Sequence, residues 1–217
     1  MKRLFLLFSI LFCLLSAVQA TEPDYLTLTN TSSKSAVINL DRRSTGNYSS
    51  NNLNVAYSIN GDAWTDEITY GTSANDGLKI TLPAGQSVRF RGYNLKNGTW
   101  QCGKSKSIYF GFNFPSSGTT FTVSGDLMSL VAYKDGELHT SDYPMVSYCF
   151  TKLFNGCNKL TDVSGLKLSA ETLSDYCYYE MFNGCTAITR TPQMAVATLA
   201  IPCLARDGSP PCMIPFR

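Results

Sequence analysis

The sequence predicts a mainly β chain: a β-sandwich-like domain in the N-terminal half, then a short solenoid of α/β repeat coils. Three observations carry this expectation. Apolar residues alternate with polar ones in short runs from Tyr25 to about Val131, with turn residues between the runs. A block beginning at Tyr148 recurs 28 residues later at Tyr176. The first twenty residues, finally, read as a segment outside the fold.

That segment starts with the cationic Met1-Lys2-Arg3, continues as an apolar run from Leu4 to Leu15 broken only by Ser9, and ends in Val18-Gln19-Ala20. Residues 1–20 are therefore expected to be a secretory signal peptide. Its core is too short to span a bilayer, which takes about 20 apolar residues. Phe12 is too bulky to precede a lipid-modified Cys13. The expected product is secreted or held at the cell surface, with no transmembrane segment after cleavage. Without Lys2 and Arg3 the chain carries equal numbers of basic and acidic residues. Neutrality and the lack of a basic run argue against nucleic acid or anionic lipid as partners.

Residues 21–140 are expected to form the all-β domain. Tyr25–Thr29, Ala36–Leu40, Val55–Ile59, Leu78–Leu82, Val88–Tyr93, Ser107–Phe114 and Thr120–Val123 have strand character. Asn60-Gly61 is a strong hairpin signal, because both residues tolerate positive φ. Pro83-Ala84-Gly85-Gln86 marks another reversal. The polar stretch Lys134–Asp142 reads as a surface hairpin or linker.

Residues 141–202 are expected to hold two repeat units. Tyr148-Cys149, Phe154-Asn155-Gly156-Cys157 and Leu160-Thr161 recur as Tyr176-Cys177, Phe182-Asn183-Gly184-Cys185 and Ile188-Thr189. At about 100° per residue, Cys149, Leu153 and Cys157 share one face of a helix. Gly156 would end that helix, and Leu160-Thr161-Asp162-Val163 would be the strand across the coil. The expected repeat core is Cys149, Leu153, Phe154, Cys157, Leu160, Cys177, Met181, Phe182, Cys185 and Ile188.

The Cys-x-x-x-Met/Leu-Phe-Asn-Gly-Cys-x-x-Leu/Ile-Thr pattern, with its Ala-x-Thr-Leu lead-in, resembles the BspA-type leucine-rich repeats of bacterial surface proteins. Ser58–Trp64 and Phe121–Leu130 resemble the β-rich region that precedes such repeats. The resemblance implies an exported, non-catalytic adhesion or binding protein that recognises a protein partner, host extracellular matrix or mucin. Residues 203–217 depart from it. Pro210-Pro211 would break a third helix, and Cys212 comes one position late. A degenerate third repeat or irregular tail is expected there, the mark of a truncated or frame-shifted copy that need not be functional.

Two other function classes are open to a chain of this composition. A glycan-binding module in the β half would use exposed aromatic faces. Trp100, in a loop-like context, suits that role better than Trp64, which beside a hairpin is expected to plug the core. An enzyme would need a nucleophile and base, and the lone His139, with Asp135 or Asp142 to orient it, gives no supporting pattern. No catalytic residue, metal site or cofactor is expected. Seven cysteines follow the signal segment, with no Cys-x-x-Cys pair. Eight residues of helix rise about 12 Å, too far for a bridge within one coil. Stacked buried thiols are expected rather than a disulfide framework, and the odd count leaves at least one thiol unbridged. Tyr178, Tyr179 and Glu180 do not repeat between the units and, with Trp100, form the expected ligand surface. The sequons at Asn30, Asn47 and Asn97 matter only in a eukaryotic secretory pathway.

Overall fold

The computed structural model describes residues 22–44, 52–70, 77–96, 99–100, 102–139 and 145–194. The expected signal segment, the tail at 203–217, Asn47, Asn97 and Asp142 lie outside them. The strands are β1 (Leu26–Asn30), β2 (Ala36–Ser44), β3 (Leu53–Ile59), β4 (Ile68–Tyr70), β5 (Gly77–Leu82), β6 (Ser87–Arg91), β7 (Leu95–Lys96), β8 (Thr99–Trp100), β9 (Gly103–Ser105), β10 (Ile108–Asn113) and β11 (Phe121–Asp126). A one-turn helix α1 (Ser129–Ala132) follows, then β12 (Tyr133–Lys134), β13 (Glu137–Leu138), β14 (Leu160–Leu168) and β15 (Gln193–Met194).

Two sheets form a β-sandwich. The larger is mixed, in the order β15-β14-β11-β1-β6-β3-β4; the smaller is antiparallel, β5-β2-β10-β9. Alternation sorts the side chains. Leu26, Leu28, Val88, Phe90 and Val123 of the larger sheet and Ile38, Leu40, Ile80, Leu82, Phe110 and Phe112 of the smaller are all buried in one apolar cluster. Each such side chain contributes about 1.5–3 kcal/mol on burial. At the hairpin signal, Asn60 and Gly61 take φ of 50° and 84°, and the Asp62 amide donates to the Ile59 carbonyl at 2.9 Å. Asn30 is wholly buried, its Nδ2 donating to the carbonyls of Lys34, Leu82 and Pro83. Glycosylation of that sequon is incompatible with this packing.

The α/β leucine-rich-repeat solenoid expected for residues 141–202 does not form. Among the described residues helix is only 3% of the structure, and none of the sheets forms a solenoid. The segments expected to be helices are runs of turns. Tyr148, Lys152 and Gly156 have φ of 65°, 57° and 76°, and Tyr176, Glu180 and Gly184 have 56°, 49° and 78°. A left-handed residue at every fourth position is incompatible with an α-helix. The amides divide accordingly. Those of Cys149, Thr151, Leu153, Asn155 and Cys157 donate to the carbonyl three residues back, at 3.0–3.3 Å. Those of Tyr148, Phe150, Lys152, Phe154 and Gly156 donate to Asp175, Cys177, Tyr179, Met181 and Asn183 of the second unit, at 2.7–3.0 Å. A helix would keep all of these amides for itself.

The two turn ribbons widen the sandwich beside the smaller sheet. Cys102 donates to the Cys149 carbonyl at 2.9 Å and Phe112 to the Leu153 carbonyl at 2.7 Å, so the first ribbon seats on β9 and β10. β14 then lies parallel to β11, and β15 parallel to β14, in the larger sheet. Rings of Phe112, Phe154 and Phe182 stack through the core with centroids 5.2 and 5.5 Å apart and planes within 11°. Both halves of the chain share this one core.

Candidate functional site

The repeat register decides which side chains go in and which stay out. Cys149, Leu153, Phe154, Cys157, Leu160, Cys177, Met181, Phe182 and Cys185 are buried, and Ile188 packs half-buried against them. The Cys157 thiol donates to the Phe112 carbonyl at 3.2 Å, and the Cys185 thiol to the Phe154 carbonyl at 2.9 Å. Cys102, Cys149, Cys157 and Cys185 are free thiols, and Cys177 is wholly buried. Burial pushes Cys149 up to about 12 and Cys185 up to about 11. Burial, with the neighbouring Cys149 and Cys185 respectively, holds Cys102 and Cys157 far above the ordinary thiol range.

These shifts have a direction that can be measured. In the unfolded chain the thiols ionise near pH 8.5, while the folded chain keeps them protonated. Their stabilising contribution is therefore complete below about pH 8.5 and is lost as pH rises toward 11–12. The melting temperature is expected to fall between pH 8 and 10. In a Cys203→Ser/Cys212→Ser background, native protein at pH 8 should react with a thiol dye only at its unfolding rate. Rapid native labelling would contradict the buried placement.

The left-handed positions of the ribbons face outward. Because residue i lies over residue i+28, Tyr148 stacks on Tyr176 with centroids 4.9 Å apart and planes 2° apart. Lys152 lies over Glu180 and pairs with it at 3.4 Å. Tyr179 meets Tyr176 edge-on at 5.7 Å. The Lys106 ammonium, in the turn between β9 and β10, stands 4.6 Å from the Tyr176 ring and 4.9 Å from the Tyr179 ring. Lys152 stands 5.6 Å from the Tyr109 ring and 6.0 Å from that of Tyr179. A half-buried face of tyrosines and lysines results, mounted on a rigid hydrogen-bonded ribbon.

Of the expected ligand surface, Tyr179 and Glu180 lie on this face. Tyr178 does not: it is 5% exposed and stacks on Phe150 at 5.9 Å inside the core. Trp100 falls in β8, paired with Leu95, and its side chain lies outside the described residues. Tyr109, Lys106, Tyr148, Lys152 and Tyr176 were not expected there. A period-four scan of the repeats would have marked Tyr148, Lys152, Tyr176 and Glu180 as one outward row.

A second aromatic cluster lies on the larger sheet, where Trp64 is half-buried rather than in the core. Arg91 and Arg89 stand 4.3 and 5.2 Å from the Trp64 ring. Tyr25 meets Trp64 at 4.7 Å and Tyr133 at 5.4 Å, both edge-on. Burial and the Tyr133 hydroxyl push the Tyr25 phenol up to about 12. His139 follows the β12–β13 hairpin, its Nε2 3.3 Å from the Lys134 carbonyl.

Among the described residues, no three metal-ligating side chains group together, and no helix is long and apolar enough to cross a membrane. Comparison with family models, with curated proteins and with solved structures finds no match for the chain.

Proposed function

We propose that this is an exported, non-catalytic binding protein, a short relative of the BspA-type surface proteins, that recognises a host matrix protein or mucin. The observation that carries the reading is the tyrosine–lysine face of the turn ribbons. Tyrosine combines a large apolar surface with a polar edge at low entropic cost, which makes it a frequent anchor at protein interfaces. Tyr148, Tyr176 and Tyr179 are already held by ring and cation contacts, so little side-chain freedom is lost on docking. The non-catalytic part is supported by the described thiols, which burial keeps from acting as thiolate nucleophiles.

Surface plasmon resonance against immobilised mucin, fibronectin, fibrinogen and laminin tests this. At least one surface should bind the intact protein, and Tyr179→Ala should weaken that binding about tenfold or more. Silence on every surface, or binding indifferent to Tyr179→Ala, would reject the proposal.

A further inference from the structure

The arginine pair of β6 points to a second site. Arg89 and Arg91 are two residues apart on one strand and so lie on the same face of the larger sheet. Their guanidiniums are walled by three rings: Arg89 stands 5.4 Å from Tyr25 and 5.2 Å from Trp64, and Arg91 stands 4.3 Å from Trp64 and 5.0 Å from Tyr133. Rings on this scale strengthen a bound cation without neutralising it.

The guanidiniums are under-used. Arg91 donates one Nη1 bond, to the Tyr133 hydroxyl at 3.3 Å, and has no carboxylate partner among the described residues. Arg89 donates to Ser58 at 3.5 Å and to Glu22 at 2.7 Å, and its buried Nε has no partner. Glu22 is 70% exposed, against 22% for Arg89. An exposed carboxylate on a half-buried guanidinium shows what chemistry the place accepts, and an incoming carboxylate can displace it. Arginine forks match carboxylates in two-point geometry.

We propose that Arg89 and Arg91, walled by Tyr25, Trp64 and Tyr133, bind a carboxylated sugar, the carboxylate set against the guanidiniums and the pyranose ring against the aromatic wall. A peptide fits less well. β1, β6 and β3 each have a strand on both sides, so no free edge is offered here for a peptide to join as a strand. The site is separate from the tyrosine–lysine face and does not depend on it.

Fluorescence titration of a Trp100→Phe protein leaves Trp64 as the only indole reporter. The probes are galacturonate tetramer, its methyl ester, 3′-sialyllactose and polyglutamate. A saturable change with an acidic sugar, at least tenfold weaker with the methyl ester and with Arg91→Gln, is the expected result. Glu22→Gln, which frees Arg89 without touching the core, should tighten binding about threefold, and it keeps the test open if Arg91→Gln fails to fold. No response to either acidic sugar, an equal response to the ester, or equal binding of polyglutamate overturns the proposal.

Discussion

Phe154→Ala is expected to cost about 3–5 kcal/mol of folding stability, the range for emptying an aromatic site in a packed core. Phe154 is 0% exposed and stacks between Phe112 of the smaller sheet and Phe182 of the second ribbon. Its carbonyl also accepts the Cys185 thiol. Removing the ring opens a cavity where sandwich and repeats meet, and both neighbouring rings lose a stacking partner. A small domain has only about 5–15 kcal/mol in hand, so the loss should appear as a large drop in the denaturation midpoint. Phe154→Leu, which keeps most of the volume, should recover more than half of it. A Phe154→Ala unfolding free energy within about 0.5 kcal/mol of the parent would mean that the column does not join the two halves.

Gly125→Ala is expected to be about as damaging, through backbone rather than cavity. Gly125 has φ of +80°, and a Cβ built on it would stand 1.9 Å from the Tyr25 carbonyl oxygen. It sits where β11 stops running antiparallel to β1. Ser124 pairs with Thr27 in the antiparallel sense, while Asp126 bridges Tyr25 in the parallel sense and donates to the Asp24 carbonyl at 2.7 Å. The left-handed conformation costs an alanine about 1–2 kcal/mol, and relieving the overlap costs about 1–3 kcal/mol more. Chemical denaturation should place the loss near 3 kcal/mol. Gly136→Ala, in the β12–β13 turn where nothing approaches within 4 Å, is the control and should cost only the conformational part.

The strands of the first half were legible because their signal is local. In Leu26–Asn30, Gly77–Leu82 and Ser87–Arg91 a period of two separates a buried from a solvated face, and Asn60-Gly61 carries its turn geometry in two residues. The period of 28 was legible too, since stacking demands that like meet like: Phe154 on Phe182, Tyr148 on Tyr176. The sequence reads as helix where the structure has turn ribbons for a specific reason. Cys149, Leu153 and Cys157 are four apart, and over so short a run that spacing serves a 3.6-residue helix and a four-residue turn ribbon alike. The sign of φ at Tyr148, Lys152, Tyr176 and Glu180 separates the two, and side-chain identity does not announce it. Of the residues on the tyrosine–lysine face, Tyr179 and Glu180 stand out in the sequence by not repeating, while Tyr148 and Tyr176 read only as markers of the repeat.

By itself the amino-acid order determined the β-rich class, the punctuation between strands and the 28-residue register, because each depends on residues close together in the chain. That the repeats become ribbons docked on β9 and β10, with β14 and β15 completing the larger sheet, follows from contacts distant in the chain. That choice turns on which carbonyl each alternate amide finds, and those partners lie 27 residues or more away.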